Sequence, residues 1–199
     1  APASQRRVPP SYLPRSSSLP ADGPAPGGPG ALLAPPSEVA WPTGWVHRPV
    51  QASDLASLHE LESRAFPFPW TLGNLRDALN CGYRMELLQD GQGQLKGHMV
   101  VMPGVDELHL LDVAVAPECQ GQGLGRAWMQ RLRECAIHAA AAQVWLEVRR
   151  SNAPALKLYE RTGFAHQGVR KGYYPAAGGR EDALVMSWAI DNPPQEQAT

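Results

Sequence analysis

The chain has 199 residues, enough for one domain of ordinary size plus a tail, with 18 Lys or Arg against 19 Asp or Glu and a formal net charge of −1. That balance gives no electrostatic ground for nucleic acid or a membrane surface as the main partner, and no apolar run approaches the ~20 residues of a membrane helix. Three widely spaced cysteines, Cys81, Cys119 and Cys135, form no C-x-x-C pair, which argues against a disulfide framework or a structural zinc and leads us to expect a reducing, cytoplasmic setting with no metal.

Residues 1–44 hold 11 of the 20 prolines and few apolar side chains, as in Ala25-Pro26-Gly27-Gly28-Pro29-Gly30. Such a segment buries too little surface to offset its ordering entropy, so disorder with polyproline II character is expected. Ala31-Leu32-Leu33-Ala34 is too short for the apolar core of a secretory signal. The arm reads as a dock for another protein, an interdomain linker or a passive tail. Residues 191–199 read as a second, polar tail, leaving 45–190 as the folded domain. From residue 45 onward 15 basic side chains face 17 acidic ones, a slight acidity compatible with a basic acceptor.

Residues 45–50 read as a first strand. Ala52-Ser53-Asp54 then caps a helix carrying Leu55, Leu58 and Leu61 on one face. Phe66-Pro67-Phe68-Pro69-Trp70 interrupts the helical pattern, and Thr71 caps a second helix with Leu72, Leu75 and Leu79. Residues 83–88, 97–102 and 108–115 read as three strands, the first two joined by a turn at Asp90-Gly91. A helix over 122–138 spaces Leu124, Trp128, Leu132 and Cys135 along one face. A short strand at 144–148 precedes a helix at 153–161, with Pro154 in its first turn and Gly163 just past its end. Strands at 164–169 and 183–188 complete the set, with Tyr173-Tyr174 in the turn between them. This order predicts an α/β sandwich around one mixed sheet with both faces covered.

The most informative stretch is Val113-Ala114-Val115-Ala116-Pro117-Glu118-Cys119-Gln120-Gly121-Gln122-Gly123-Leu124-Gly125. A strand ends, Pro117 turns the chain, and glycines open a helix whose free amides and dipole make an anion site. A Rossmann fingerprint would need glycine where Arg126 stands, and the Gly-Lys-Ser/Thr of a Walker loop is absent. What remains is Q-x-x-G-x-G from Gln120 to Gly125, either a pyrophosphate cradle or a plain Gly-rich turn.

That motif between strand and helix resembles the acetyl-coenzyme A signature of the GCN5-related N-acetyltransferases (GNAT). Trp145-Leu146-Glu147-Val148-Arg149, Ser151-Asn152-Ala153, Leu158-Tyr159-Glu160-Arg161-Thr162-Gly163-Phe164, and Tyr173-Tyr174-Pro175 followed by Glu181-Asp182-Ala183 are similar to its ribosomal-protein-alanine branch, the RimI type. Phe66-Pro67-Phe68-Pro69-Trp70 is similar to the substrate loop of that branch. The likeness spans about residues 45–190. It implies the GNAT fold, a mixed and mostly antiparallel central sheet flanked by helices on both faces. It also implies acetyl-coenzyme A as cosubstrate, bound by Val113, Val115, Gln120, Gly121, Gln122, Gly123, Leu124, Gly125, Arg126, Asn152 and Tyr159. The implied reaction is direct attack, in a ternary complex, by the N-terminal alanine of a small-subunit ribosomal protein.

Amine acetylation needs a base for the amine and an acid for the departing thiolate. Strand alternation puts Trp145, Glu147 and Arg149 on the face opposite Val144, Leu146 and Val148. From the residues alone Glu147 is either a base or the partner of Arg149, and the family makes it the base. Tyr159 shares a helix face with Ala155 and Leu156. It is either a packed aromatic bonded to a backbone carbonyl or, by resemblance, the acid. Asn152 is an N-cap to which the family adds a coenzyme contact. A backbone N–H near Val115 is the donor that the resemblance gives to the acetyl oxygen. Cys119 sits in the glycine loop with no paired His, either a thiol activated by the helix end or a bystander. Phe68, Trp70, Tyr173 and Tyr174 are implied to hold the peptide, while on residues alone the first pair builds a helix corner and the second caps the core. Two other readings stay open, an acetyltransferase for lysine side chains or small amines, and a non-catalytic coenzyme-binding subunit.

Overall fold

The computed structural model describes residues 37–191. The expectations for 1–36 and for 192–199 lie outside the described residues.

Strand β1 (Val46–Pro49) leads through a short 3-10 turn into α1 (Leu55–Ala65). Its leucines at 55, 58 and 61 are buried as their spacing requires. Helix α2 (Leu72–Asn80) starts at Thr71, whose hydroxyl accepts from the Asn74 amide while the Asn74 side chain accepts from the Thr71 amide. Strands β2 (Arg84–Gln89), β3 (Leu95–Pro103) and β4 (Glu107–Val115) form an antiparallel meander. Helix α3 (Leu124–His138) starts two residues later than the hydrophobic pattern placed it, because Gly123 sits left-handed at its N-cap. Strand β5 (Gln143–Arg149) and helix α4 (Ala153–Thr162) follow, and β6 (Ala165–Ala176) and β7 (Gly179–Ala189) close the chain as a hairpin.

The seven strands run in the order β1-β2-β3-β4-β5-β7-β6, every pairing antiparallel except β4 with β5. Neighbours along β3 point to opposite faces: His98 meets Glu62 of α1, while Gly97 lies under Trp128 of α3. A Cβ on Gly97 would stand 2.8 Å from the Trp128 Nε1, so only glycine lets that helix lie so close. Helix α4 lies on the α3 side, where Leu158 closes on Gly125.

The decisive irregularity is in β4. Val101 pairs with Leu110 but Val100 pairs with Asp112, so Leu111 is an extra residue that bulges and bends the strand. The parallel pairing with β5 runs from Glu107 and Gln143 only as far as Leu110 and Leu146. Beyond it β4 continues on β3 and β5 continues on β7, and a wedge opens between them.

Two boundaries differ from the pattern. The domain was expected to start after Gly44, yet Val39 is buried and Trp41 stacks on His47 with ring centroids 4.9 Å apart. Tyr173 and Tyr174 belong to β6 and not to the turn, because the hairpin ladder extends to Ala176 and Gly179. The rings of His47 and Trp128, themselves edge to face at 5.7 Å, together take Trp41 from outside the regular elements, which periodicity does not register.

Candidate active site

The wedge is lined on one side by the free edge of β4. Ala116 donates its amide to the Lys96 carbonyl on β3, so alternation along the ladder turns the backbone groups of Val113 and Val115 away from β3. The Val115 carbonyl is taken by the Gln120 side chain at 3.2 Å, leaving its N–H toward the wedge.

The glycine loop continues from that edge. Gly121 and Gly123 have φ of +74° and +89°, values that L side chains rarely adopt, and nothing lies within 4 Å of where their Cβ atoms would stand. Gly123 is the N-cap of α3 and no side chain among the described residues caps the first turn. The Gln122 side chain donates to the Glu118 carbonyl at 2.9 Å and braces the loop. A 15-residue helix thus presents bare amides and its positive end across an unobstructed cradle, which fits a diphosphate. Leu124 is buried, so only its amide faces such a ligand, whereas Arg126 is exposed. Burial raises the Cys119 thiol, opposite in sign to what a helix end does to an activated cysteine.

Across the wedge stands Glu147 on β5. Its side chain is 8% exposed, Oε1 lies 2.8 Å from the Arg170 Nε, and Oε2 is buried with no hydrogen-bond partner among the described residues. The sequence alternative of a pair with Arg149 is not what forms. Arg149 instead donates to the Pro175 carbonyl at 2.8 Å and to Glu181 at 3.4 Å, and its guanidinium lies 5.0 Å from the Phe68 ring and 4.5 Å from that of Tyr174. Arg170 comes from β6, two places along the sheet and a β-bulge away, and no local pattern marks it.

Tyr159 projects from α4 with its ring edge-on to Phe164 at 5.6 Å, and it is 8% exposed. No hydrogen bond reaches its hydroxyl from the described residues, so the carbonyl-bonded alternative is not what forms. Burial, the main cause, pushes the phenol above its ordinary value, so it stays protonated. Asn152 caps α4, its Oδ1 accepting from the Ala155 amide at 3.2 Å.

The opposite wall is the loop between α1 and α2. Phe68 is half-exposed, while Trp70 packs on the core with its amide on Glu62 Oε2 at 3.0 Å and its carbonyl on His59 Nδ1 at 3.0 Å. Adjacent residues such as Tyr173 and Tyr174 point to opposite faces of a regular strand. A register shift between Arg170 and Tyr174, with Gly172 at φ +55°, brings their rings to 5.0 Å. Tyr174 donates its hydroxyl to the Glu147 carbonyl at 3.0 Å, and burial followed by the Glu147 charge raises its phenol. The structure therefore gathers Phe68, Arg149, Tyr174 and Glu147 on one side of the wedge and the glycine loop with Tyr159 beside its other end. Sequence reasoning missed Arg149 as the bridge of this wall, and missed Arg170, Glu62, His98 and Asp112 altogether. Asp112 alone left a signal, an acid within an apolar strand.

The profile of the Acetyltransferase (GNAT) family matches residues 55–164. The chain is 39% identical over 142 residues to the [ribosomal protein bS18]-alanine N-acetyltransferase of Escherichia coli strain K12, covering 71% of this chain and 95% of that enzyme. It is 36% identical to the Haemophilus influenzae enzyme of the same name, covering 69% and 94%. The crystal structure of the ribosomal-protein-S18-alanine N-acetyltransferase from Escherichia coli superposes with a TM-score of 0.70 at 33% identity, covering 78% of this chain and 99% of that one.

Proposed function

This chain belongs to the acetyltransferase (GNAT) family, and from that premise we propose that it is an Nα-acetyltransferase acting on the N-terminal alanine of a small-subunit ribosomal protein. The observation that carries the reaction is the pair facing the wedge, a buried carboxylate with one oxygen unclaimed and a buried phenol with an unclaimed hydroxyl. The acceptor comes from the name shared by relatives that match most of the folded part.

Acetyl-coenzyme A supplies the acetyl group as a thioester. The amides of residues 121–126 hold its diphosphate, with Gln120 and Arg126 at the margin, and Val113 and Asn152 contact its pantetheine arm. An α-amino group has a pKa of ~7.7–8.0 and is partly protonated at neutral pH. Glu147 takes that proton, directly or through one water, because Arg170 occupies Oε1 and leaves Oε2 for the amine. The Val115 N–H polarises the thioester carbonyl. Tyr159 gives its proton to the departing sulfur, and burial keeps that proton on the phenol until the sulfur becomes basic enough to take it. Phe68, Trp70, Tyr173 and Tyr174 wall the peptide, Phe68 and Tyr174 being held together through Arg149.

The test is purified protein with acetyl-coenzyme A and two peptides of one alanine-initiated sequence, one free at its N-terminus and one blocked. Acetylation of the free peptide alone is expected. Equal acetylation of an internal lysine in the blocked peptide would reassign the acceptor. Coenzyme binding without turnover on any amine would leave only a non-catalytic role.

A further inference from the structure

We propose that Glu62 and Asp112 share one proton and that this acid pair is the latch holding the acceptor loop. The inference rests on the acceptor role given above to residues 66–70.

Glu62, on α1, is 1% exposed and carries two identified contacts. Oε1 lies 2.9 Å from Nε2 of His98, itself fully buried on β3, and Oε2 accepts the Trp70 amide at 3.0 Å. The bulge at Leu111 puts Asp112 on the same face as Val100 and His98, against α1. Asp112 as a residue keeps some exposure, but its Oδ2 is sealed and no N–H or hydroxyl of the described residues reaches it. Its carboxyl faces that of Glu62, and polar atoms of Glu62, His98 and Asp112 all lie within 4.8 Å of one another.

Two carboxyl groups facing each other at this range and sealed from water are not both ionised without a penalty that one shared proton removes. With the proton on Asp112, its O–H donates to Glu62. Glu62 stays a carboxylate facing His98 and the Trp70 amide, and the one bare oxygen is accounted for. Burial first, then the Glu62 charge, hold the Asp112 carboxyl well above the usual carboxylate range. The groups around it are Glu62 and, toward Trp70, His59 on α1, His98 on β3, and Tyr159 on α4.

Asp112 is thus a positioning residue. Loss of its proton sets two negative charges against each other beneath Trp70, and the residue that moves carries the loop bearing Phe68. Alkaline pH should therefore weaken peptide binding and spare coenzyme binding. Asp112→Asn keeps a donor toward Glu62 but cannot ionise.

The experiment measures KM for peptide and for acetyl-coenzyme A from about pH 7 to about pH 10 in wild type and Asp112→Asn. At neutral pH the two proteins should agree within about twofold. At the alkaline end the wild-type peptide KM should exceed the variant's by about tenfold, the loss of one hydrogen bond to a charged group, with the coenzyme KM unchanged between them. Parallel peptide curves, or a variant already impaired at neutral pH, overturn the latch. A second readout needs no turnover. The infrared carbonyl band of a protonated carboxylic acid, sensitive to deuterium, should be present in wild type at neutral pH and absent from Asp112→Asn. Its absence from wild type overturns the shared proton, and so does zinc raising the unfolding temperature of wild type alone, because the three residues would then be a cation site. If no peptide is acetylated, the proposed function fails while the infrared band still decides the shared proton.

Discussion

Glu147 and Tyr159 differ in what their removal should do. Glu147→Gln takes away the charge that Arg170 faces as well as the base, so both rate and stability respond. We expect kcat to fall by about 10²–10⁴-fold, the range for losing a general base, with the KM for acetyl-coenzyme A unchanged in steady-state assays. Tyr159→Phe removes a hydroxyl that bonds to nothing among the described residues. It should lower kcat by about 10²-fold or more while the unfolding midpoint stays where it was, read by calorimetry on the same sample. A lower midpoint with retained rate would make the hydroxyl structural. The direction of the Tyr159 shift sets the pH behaviour too: a phenol held above ~10 stays an acid across the working range, so kcat should show no alkaline limb below about pH 10 from this residue. At this scale the sequence spoke unevenly. Alternation alone put Glu147 on the face opposite Val144, Leu146 and Val148, and those three are buried as it requires. It could not find Arg170, because that contact depends on β7 lying between β5 and β6.

Among the elements, the strand–loop–helix from β4 to α3 concentrates what matters. One inserted residue at Leu111 bends β4, the bend ends its pairing with β5, and the freed edge points Val115 at the space that the glycine loop overlooks. Gly123→Ala tests the loop. A Cβ there meets no protein atom, so the cost is the left-handed backbone, about 1–2 kcal/mol, together with a methyl group placed in the cradle. We expect a modestly lower unfolding temperature and a several-fold higher KM for acetyl-coenzyme A, with the peptide KM unchanged. The start of every helix was legible to within a few residues because caps are local, as Thr71 and Asn152 show. The bulge was not legible. In Leu110-Leu111-Asp112-Val113 the apolar alternation simply slips, and a slip reads as noise until the register of the partner strand is known.

For the molecule as a whole, the side of the sheet away from Glu147 is held by charge as well as by apolar packing. Arg131 of α3 is fully buried and donates twice to Glu86 at 2.8 Å, and Glu86 also meets His47 at 2.9 Å. A helical pattern of Leu124, Trp128, Leu132 and Cys135 gives no warning of a buried arginine among them. Despite its burial, these partners hold the Glu86 carboxyl down at about 2, against an ordinary 4.5. A depressed carboxylate adds stability above its unfolded value and loses it as pH falls, so roughly 3 kcal/mol should disappear between about pH 4.5 and 2. Glu86→Gln should flatten that acid limb in urea titrations, and should cost about 3 kcal/mol at neutral pH because buried Arg131 then keeps Glu134 as its one carboxylate partner among the described residues.

His47 ties this network to the segment before β1, which is why the start of the domain can be tested by where the chain is cut. Trp41 stacks on His47 and lies 4.9 Å from Trp128, Val39 is buried, and the Glu38 amide donates to Glu134 at 2.9 Å, the same carboxylate that receives Arg131. Proline and glycine abundance had set the boundary after Gly44, since composition averages over a stretch and misses two anchors within it. Chains beginning at residue 37 and at residue 45 differ only by those anchors. Burying an apolar side chain of this size is worth about 1.5–3 kcal/mol, and Trp41 is only partly covered, so about 2–4 kcal/mol separates the two. That should appear as an unfolding temperature lower by about 4–16 °C for the shorter chain, at about 2–4 °C per kcal/mol for this size. The peptide rate at low temperature should be equal for both, because the anchors sit by α3 and β1 and none of them lines the wedge. Equal unfolding temperatures would return the boundary to Gly44, and a rate lost only in the shorter chain would mean that Trp41 reaches the wedge through Trp128 and α3.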